Sequence, residues 1–281
     1  MNRVEVSDGA KLYVEDFGEG PALLFISGMN LTHKSWESQV AAFAPSHRCV
    51  TFDWRGTGAS DKPRTGYTAK NATTDVIDLV ERLGLAPVVL VGHGVGTHLA
   101  LLAAEARPEL VRGLVLASGA PWFSGERDGM PGGVTEAFLE FMVSQRRGAL
   151  MGIKVPYAET CFELGDKWLF HQKQSPGVCQ TILDQAVEWP QYVLNCYAQE
   201  MRGIDHRARA KSIRCPTLVI DGRHDRKQRY EGSVLLARMI EGARLVTLEN
   251  SATMGNVEEV DAFNTALATF VGGLEQKRQV A

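Results

Sequence analysis

No segment of this chain approaches the length of an uncharged membrane span, and no long run of one charge sign occurs. The N-terminal stretch MNRVEVSDGAKLYVEDFGEG carries charges early and lacks the apolar centre of a secretory signal. The five cysteines, Cys49, Cys161, Cys179, Cys196 and Cys215, are odd in number and never spaced C-x-x-C, which argues against a disulfide framework or a cysteine metal site. A formal net charge of −3 gives no electrostatic reason to expect nucleic acid or an anionic membrane as partner. These absences lead to the expectation of a cytoplasmic protein, monomer or homodimer, with a small-molecule substrate or ligand. No cofactor, metal, nucleic acid or membrane is expected.

What is present is a chain of 281 residues, 44% hydrophobic and 22% charged, enough for one large α/β domain with an insertion. Apolar runs at Ala22–Ile26, Cys49–Phe52, Val88–Val91, Gly113–Ala117, Thr217–Ile220 and Ala243–Thr247 are short and lack polar alternation, as strands buried on both faces do. Helical spacing covers Trp36–Phe43, Thr68–Leu83, Thr97–Ala106, Tyr230–Ile240 and Val260–Phe270. Arg3–Val6 and Lys11–Glu15 flank the turn Ser7-Asp8-Gly9 as an antiparallel edge hairpin. The pattern predicts an α/β fold with a doubly wound, mostly parallel sheet. From Trp122 to Ala210 no strand is evident, but helical stretches carry Phe138, Phe141, Met142, Trp168, Phe170, Trp189, Tyr192 and Tyr197. The expected organisation is a core of residues 1–121 and 211–281 with a helical cap at 122–210. Most of the cap aromatics are read as its own core. Trp122, Trp168 and His171, with Asn30 of the core, are expected to line a substrate pocket.

The stretch VLVGHGVGTHLA, Val89 to Ala100, has the layout of a nucleophile elbow, G-x-S-x-G, at a strand-to-helix turn. No serine is there: Gly94 stands in its place. Further segments are FISGMN at 25–30, FDWRGTGAS at 52–60, PTLVIDGRHD at 216–225 and SATMGNVEEVDAFN at 251–264. In this order the chain resembles the α/β-hydrolase superfamily over nearly its whole length. The resemblance implies an oxyanion loop at 25–30, a D-x-R-G-x-G-x-S loop at 52–60 and a catalytic acid at Asp225. It also implies that the serine position is Gly94 and the histidine position Thr253, so that two of the three triad roles are vacant.

Glycine tolerates the strained backbone of an elbow, so the turn itself is expected to persist. The oxyanion hole then survives as the backbone N–H groups of Met29 and Val95. Among replacements, His93 reads as packing beneath the turn and His98 as structural. His224, beside Asp225, and Asp225 itself are the candidate acid–base residues, with His171 above them. Thr253 supplies a hydroxyl with no useful pKa. The reading these residues favour is a non-hydrolytic, cofactor-independent enzyme, of lyase, cyclase, isomerase or decarboxylase type, acting on a small, largely apolar carbonyl metabolite. The alternatives are a small-molecule receptor or pseudoenzyme, and a hydrolase that activates water without a covalent intermediate.

Overall fold

A computed structural model describes residues 2–135, 169–226 and 229–280. The strands are β1 (Arg3–Glu5), β2 (Lys11–Phe17), β3 (Ala22–Ile26), β4 (Arg48–Phe52), β5 (Val88–His93), β6 (Val111–Ala117), β7 (Glu126–Arg127), β8 (Met130–Pro131), β9 (Thr217–Gly222) and β10 (Arg244–Leu248). The helices are α1 (Glu37–Phe43), α2 (Ala69–Arg82), α3 (Val95–Ala106), α4 (Pro176–Val187), α5 (Gln191–Arg202), α6 (Arg207–Ala210), α7 (Tyr230–Met239), α8 (Gly255–Glu258) and α9 (Val260–Val280). Eight strands form one sheet in the order β1-β2-β4-β3-β5-β6-β9-β10, parallel from β4 through β10 and antiparallel at β1 and β2. The expected α/β fold is the observed one.

The central strands are buried on both faces, which is why they read as unbroken apolar runs. Along β3 the side chains alternate: Leu24 and Ile26 pack with Val76, Leu79, Leu99 and Leu101 of α2 and α3, while Leu23 and Phe25 join Trp36, Phe263 and Leu267 on the side of α1 and α9. Helix α2 opens where the Thr68 hydroxyl accepts the Asn71 N–H, and α4 opens on Ser175 with Pro176 in its first turn.

The stretch from Trp122 to Ala210 is not free of strand. β7 and β8 pair antiparallel, and a bridge joins Trp122 to Asp205. The turn between β7 and β8 is Asp128-Gly129, both with positive φ (54° and 71°), the backbone of a two-residue hairpin loop. The signal was legible as Arg-Asp-Gly-Met, but each strand is only two residues long, too short for alternation to show. Among the described aromatics of this region, Phe170 clusters with Leu169, Val178 and Ile182 beside Leu31 and Met254, while others join the main core. Trp189 and Tyr197 pack on Trp54, with ring centroids 5.7 and 5.2 Å away, inside the same cluster as α2 and α3. Tyr192 is exposed, and Phe138, Phe141, Met142, Cys161 and Trp168 lie outside the described residues. Cys49, Cys179, Cys196 and Cys215 are free thiols. Among the described residues no helix is long and apolar enough to cross a membrane.

Candidate functional site

Strand β5 runs into a one-residue turn at Gly94, with φ 53° and ψ −116°, and α3 begins at Val95. That conformation is open to glycine and strained for any residue with a side chain. The Gly94 N–H donates to the Ala117 carbonyl (2.9 Å), and the Thr97 hydroxyl donates to the Gly94 carbonyl (2.6 Å), so the turn is fixed from both sides. Its flanking glycines permit close packing: a Cβ on Gly96 would sit 2.3 Å from the Ile26 carbonyl oxygen, and one on Gly92 would sit 2.6 Å from that of Gly96. The Val95 N–H, at the first position of α3, has no helical carbonyl one turn back.

Across from the elbow, the loop after β3 passes close to His93, where a Cβ on Gly28 would lie 2.9 Å from the imidazole Nδ1. Met29 and Asn30 follow, both half-buried, with Asn30 at φ 68°. The loop is held from above by the helical region: the Thr32 N–H donates to Gln185 Oε1 (3.0 Å) and the Trp189 indole N–H to the Leu31 carbonyl (2.8 Å). Gln185 and Trp189 therefore position the backbone that carries Met29, a role with no signature in the sequence because the partners are more than 150 residues apart.

The third wall is a buried polar cluster at the ends of β6 and β9. The Thr253 hydroxyl donates to Asp225 Oδ1 at 2.6 Å, with both residues buried. The Thr253 carbonyl accepts from His93 Nε2 (2.9 Å) and from the Ser118 hydroxyl (2.9 Å). With a carbonyl as partner, Nε2 of His93 must carry the hydrogen. Ser118 also lies 2.9 Å from Asp221 Oδ1, which accepts the Gly222 N–H (2.8 Å). Ser118 has φ 49°, a conformation rare outside glycine, and sits here because its N–H is tied to the Ile220 carbonyl. Complete burial and the neighbouring Asp225 carboxyl push the Asp221 carboxyl well above the usual range.

The family described as alpha/beta hydrolase fold matches residues 21–260. The chain belongs to that family. It is 28% identical over 270 residues to the AB hydrolase superfamily protein YisY of Bacillus subtilis, covering 95% of this chain and 97% of the relative. It is also 28% identical over 265 residues to the carbamate hydrolase RutD of Rhizobium rhizogenes, covering 94% and 97%. Among solved structures, the esterase EaEST from Exiguobacterium antarcticum superposes with a TM-score of 0.87 at 25% identity, covering 96% of this chain and 99% of that one. These relatives overturn the expectation of a non-hydrolytic lyase, cyclase, isomerase or decarboxylase. Full-length similarity runs to proteins named for hydrolysis, whereas the opposite reading rested on the residues expected at the serine and histidine positions, Gly94 and Thr253.

Three of the other expected site residues, His224, His171 and Trp122, lie among the described residues. His224 stacks its ring on His171 at 3.5 Å, 7° from parallel. His171 is exposed, and its pKa is lowered by partial desolvation and by the charge of His224. The two rings pack face to face, with His224 half-buried and His171 exposed among the described residues. Trp122 is fully buried, donates its indole N–H to the Gly125 carbonyl (3.2 Å) and lies under the guanidinium groups of Arg127 and Arg207. It packs against the β7–β8 hairpin, where a Cβ on Gly132 would run into its indole ring. Its burial followed from hydrophobicity, but its direction depended on a hairpin that the sequence reading missed. Trp168 falls outside the described residues. His98, as expected, is structural: its Nδ1 meets His206 Nε2 at 2.8 Å. Sequence reasoning also passed over Asp221 and Ser118, because an aspartate inside a strand and a serine after one carry no signature.

Proposed function

We propose that this chain hydrolyses a small carbonyl substrate of the ester or carbamate class by direct attack of water, without an acyl-enzyme intermediate. In this reading Gly94 and Thr253 occupy the nucleophile and histidine positions of the family and leave both roles empty. The observation that carries it is the 2.6 Å hydrogen bond from the Thr253 hydroxyl to Asp225 Oδ1. A hydroxyl that donates to a carboxylate turns its lone pairs outward, and these accept a proton from water. Water oxygen bonds to the carbonyl carbon, its proton goes to Thr253 Oγ1, and the threonine's own proton passes to Asp225. The oxyanion is held by the backbone N–H groups of Met29 and Val95, a device worth about 10²–10³-fold in rate per donor. Collapse breaks the bond to the leaving alcohol or amine, which takes the proton back by the same route. Residues 122–210 act as the cap, with Asn30 at the mouth of the pocket.

The ester and carbamate classes rest on the names of RutD and EaEST, carried here as a proposal. The test is hydrolysis of p-nitrophenyl acetate and a p-nitrophenyl carbamate by Thr253→Val and Asp225→Asn. Each should lose about 10²-fold or more in kcat, the usual range for a positioned proton-transfer group, while staying folded by circular dichroism with a melting temperature lowered by the lost buried hydrogen bond. Undiminished rates in both variants refute the route.

A further inference from the structure

A cavity of about 320 Å³ opens on the α1 side of the sheet, where the edge strand β2 lies against β4. Its size falls at the small end of ligand pockets, roughly 300–1,000 Å³. None of its walls belongs to the candidate site above. The strand register builds the floor: Glu15 pairs with Thr51 and Phe17 with Cys49 across the antiparallel ladder, so Glu15, Phe17 and Thr51 stand on one face of the sheet. Residues directly opposite hold their Cβ atoms about 4.5–5.5 Å apart, which sets Thr51 beside the Glu15 side chain. Over that face α1 presents Glu37, Val40 and Ala41, three and four residues apart, and the 3-10 turn before it, His33–Trp36, presents His33.

The lining divides into an acidic part and an apolar part. His33 Nδ1 lies 2.8 Å from Asp53 Oδ1, and its Nε2 lies 3.6 Å from Glu15 Oε1. The Tyr13 hydroxyl donates to that same Oε1 (3.0 Å). Both contacts fall on one oxygen, which leaves Glu15 Oε2 open. Glu37 forms no ion pair among the described residues, and Lys34, on the same turn as His33, is held by Glu188 (2.9 Å). A protonated His33 cancels Asp53 and a neutral one cancels nothing, so in either state Glu15 and Glu37 leave the cavity negative. The apolar part is Phe17, 46% exposed, with Val40 and Ala41.

Thr51 is the residue that asks for a ligand. It lines the cavity and is 1% exposed, yet its hydroxyl has no hydrogen-bond partner among the described residues. A buried hydroxyl without a partner is destabilising and uncommon in folded proteins. Its lone pairs accept from any N–H that enters beside Glu15. The described residues hold no group of three His, Cys, Asp or Glu side chains arranged to bind a metal ion, and a bare cation would leave the apolar part uncovered. We infer that this cavity binds a small primary alkylamine in its ammonium form. The ammonium donates to Glu15 Oε2 and Thr51 Oγ1 and faces Glu37, while the alkyl chain lies against Phe17, Val40 and Ala41. Binding is noncovalent and stands apart from the hydrolytic reading.

The test is isothermal titration calorimetry of the full chain in phosphate buffer with n-pentylamine hydrochloride, and with 1-pentanol as the uncharged control. The wild type should bind one equivalent of the amine, more weakly as salt rises, and about 10-fold or more tighter than the alcohol. Glu15→Gln should weaken binding about 10-fold or more, the worth of one hydrogen bond to a charged group. Thr51→Val keeps the shape and removes the hydroxyl. It should weaken binding about 3-fold or more and leave the melting temperature of the free protein unchanged or higher, because the group it removes is unpaired. Ala41→Trp, at an exposed position on α1, should fill the cavity and abolish binding, and it keeps the inference testable if a strand variant does not fold. Equal affinity for amine and alcohol, binding that survives Ala41→Trp, or no saturable binding overturns the inference. So does a lower melting temperature for Thr51→Val, which gives the hydroxyl a partner within the chain. A dimer in sedimentation that Ala41→Trp dissociates assigns the cavity to a second copy and overturns it as well.

Discussion

A methylene and a hydroxyl separate Gly94 from serine, and on the proposed reading that difference decides between covalent and direct hydrolysis. Gly94→Ser alone lacks a base, and Thr253→His alone has no nucleophile to activate, so each single change should leave reactivity with fluorophosphonates at background. The double variant should become labelled at residue 94 and gain weak cleavage of p-nitrophenyl acetate, a strongly non-additive result readable by mass spectrometry. Placing a side chain at φ 53°, ψ −116° should lower stability by about 1–3 kcal/mol. The turn at Gly94, between β5 and α3, was legible because an apolar strand, a glycine-rich turn and a helix follow one another in sequence. Asp221 and Ser118 were not: they are 103 residues apart, and only the pairing of β6 with β9 brings them together.

The strands of the sheet were readable nearly to the residue where both faces are buried, as at Ala22–Ile26, because a continuous apolar run has no competing explanation of that length. Order and register were not readable, since they depend on contacts between runs. The elbow shows what an element-level contact demands. Gly96 on α3 lies against β3 so closely that its Cβ would meet the Ile26 carbonyl oxygen at 2.3 Å, and that oxygen belongs to a strand that cannot shift alone. Gly96→Ala should therefore destabilise the fold by about 1–3 kcal/mol, the range for overpacking a close interface, measured as a lowered urea midpoint with unchanged slope. Gly272→Ala, on α9 with open space around its Cβ, is the control and should be neutral or slightly stabilising.

At the scale of the molecule, the region after Trp122 is tied to the sheet through Trp54, Trp189 and Tyr197 on one side and through a buried imidazole pair on the other. His206 accepts a hydrogen bond from Arg209 at Nδ1 (2.8 Å), so its Nε2 hydrogen goes to His98 Nδ1. Burial, then the charge of Arg209, pushes His98 down to about 3, and burial, then His98, holds His206 well below its ordinary value. Native pKa values below that of the unfolded chain mean stability that is complete above about pH 6.5 and lost as pH falls from there toward 3. Between pH 7 and pH 5 the loss should be on the order of 2 kcal/mol per imidazole, and a His98→Gln, His206→Gln double variant should flatten the slope. Trp189 of the first tie also bonds the loop after β3 at the Leu31 carbonyl, the loop that on the proposed reading carries an oxyanion donor. The direct test of that reading is intact-protein mass spectrometry on acid-quenched turnover of p-nitrophenyl acetate. The account predicts steady release of p-nitrophenol without a stoichiometric burst, and a chain whose mass is unchanged at every time point. An acylated chain, or no release above the uncatalysed rate, contradicts it.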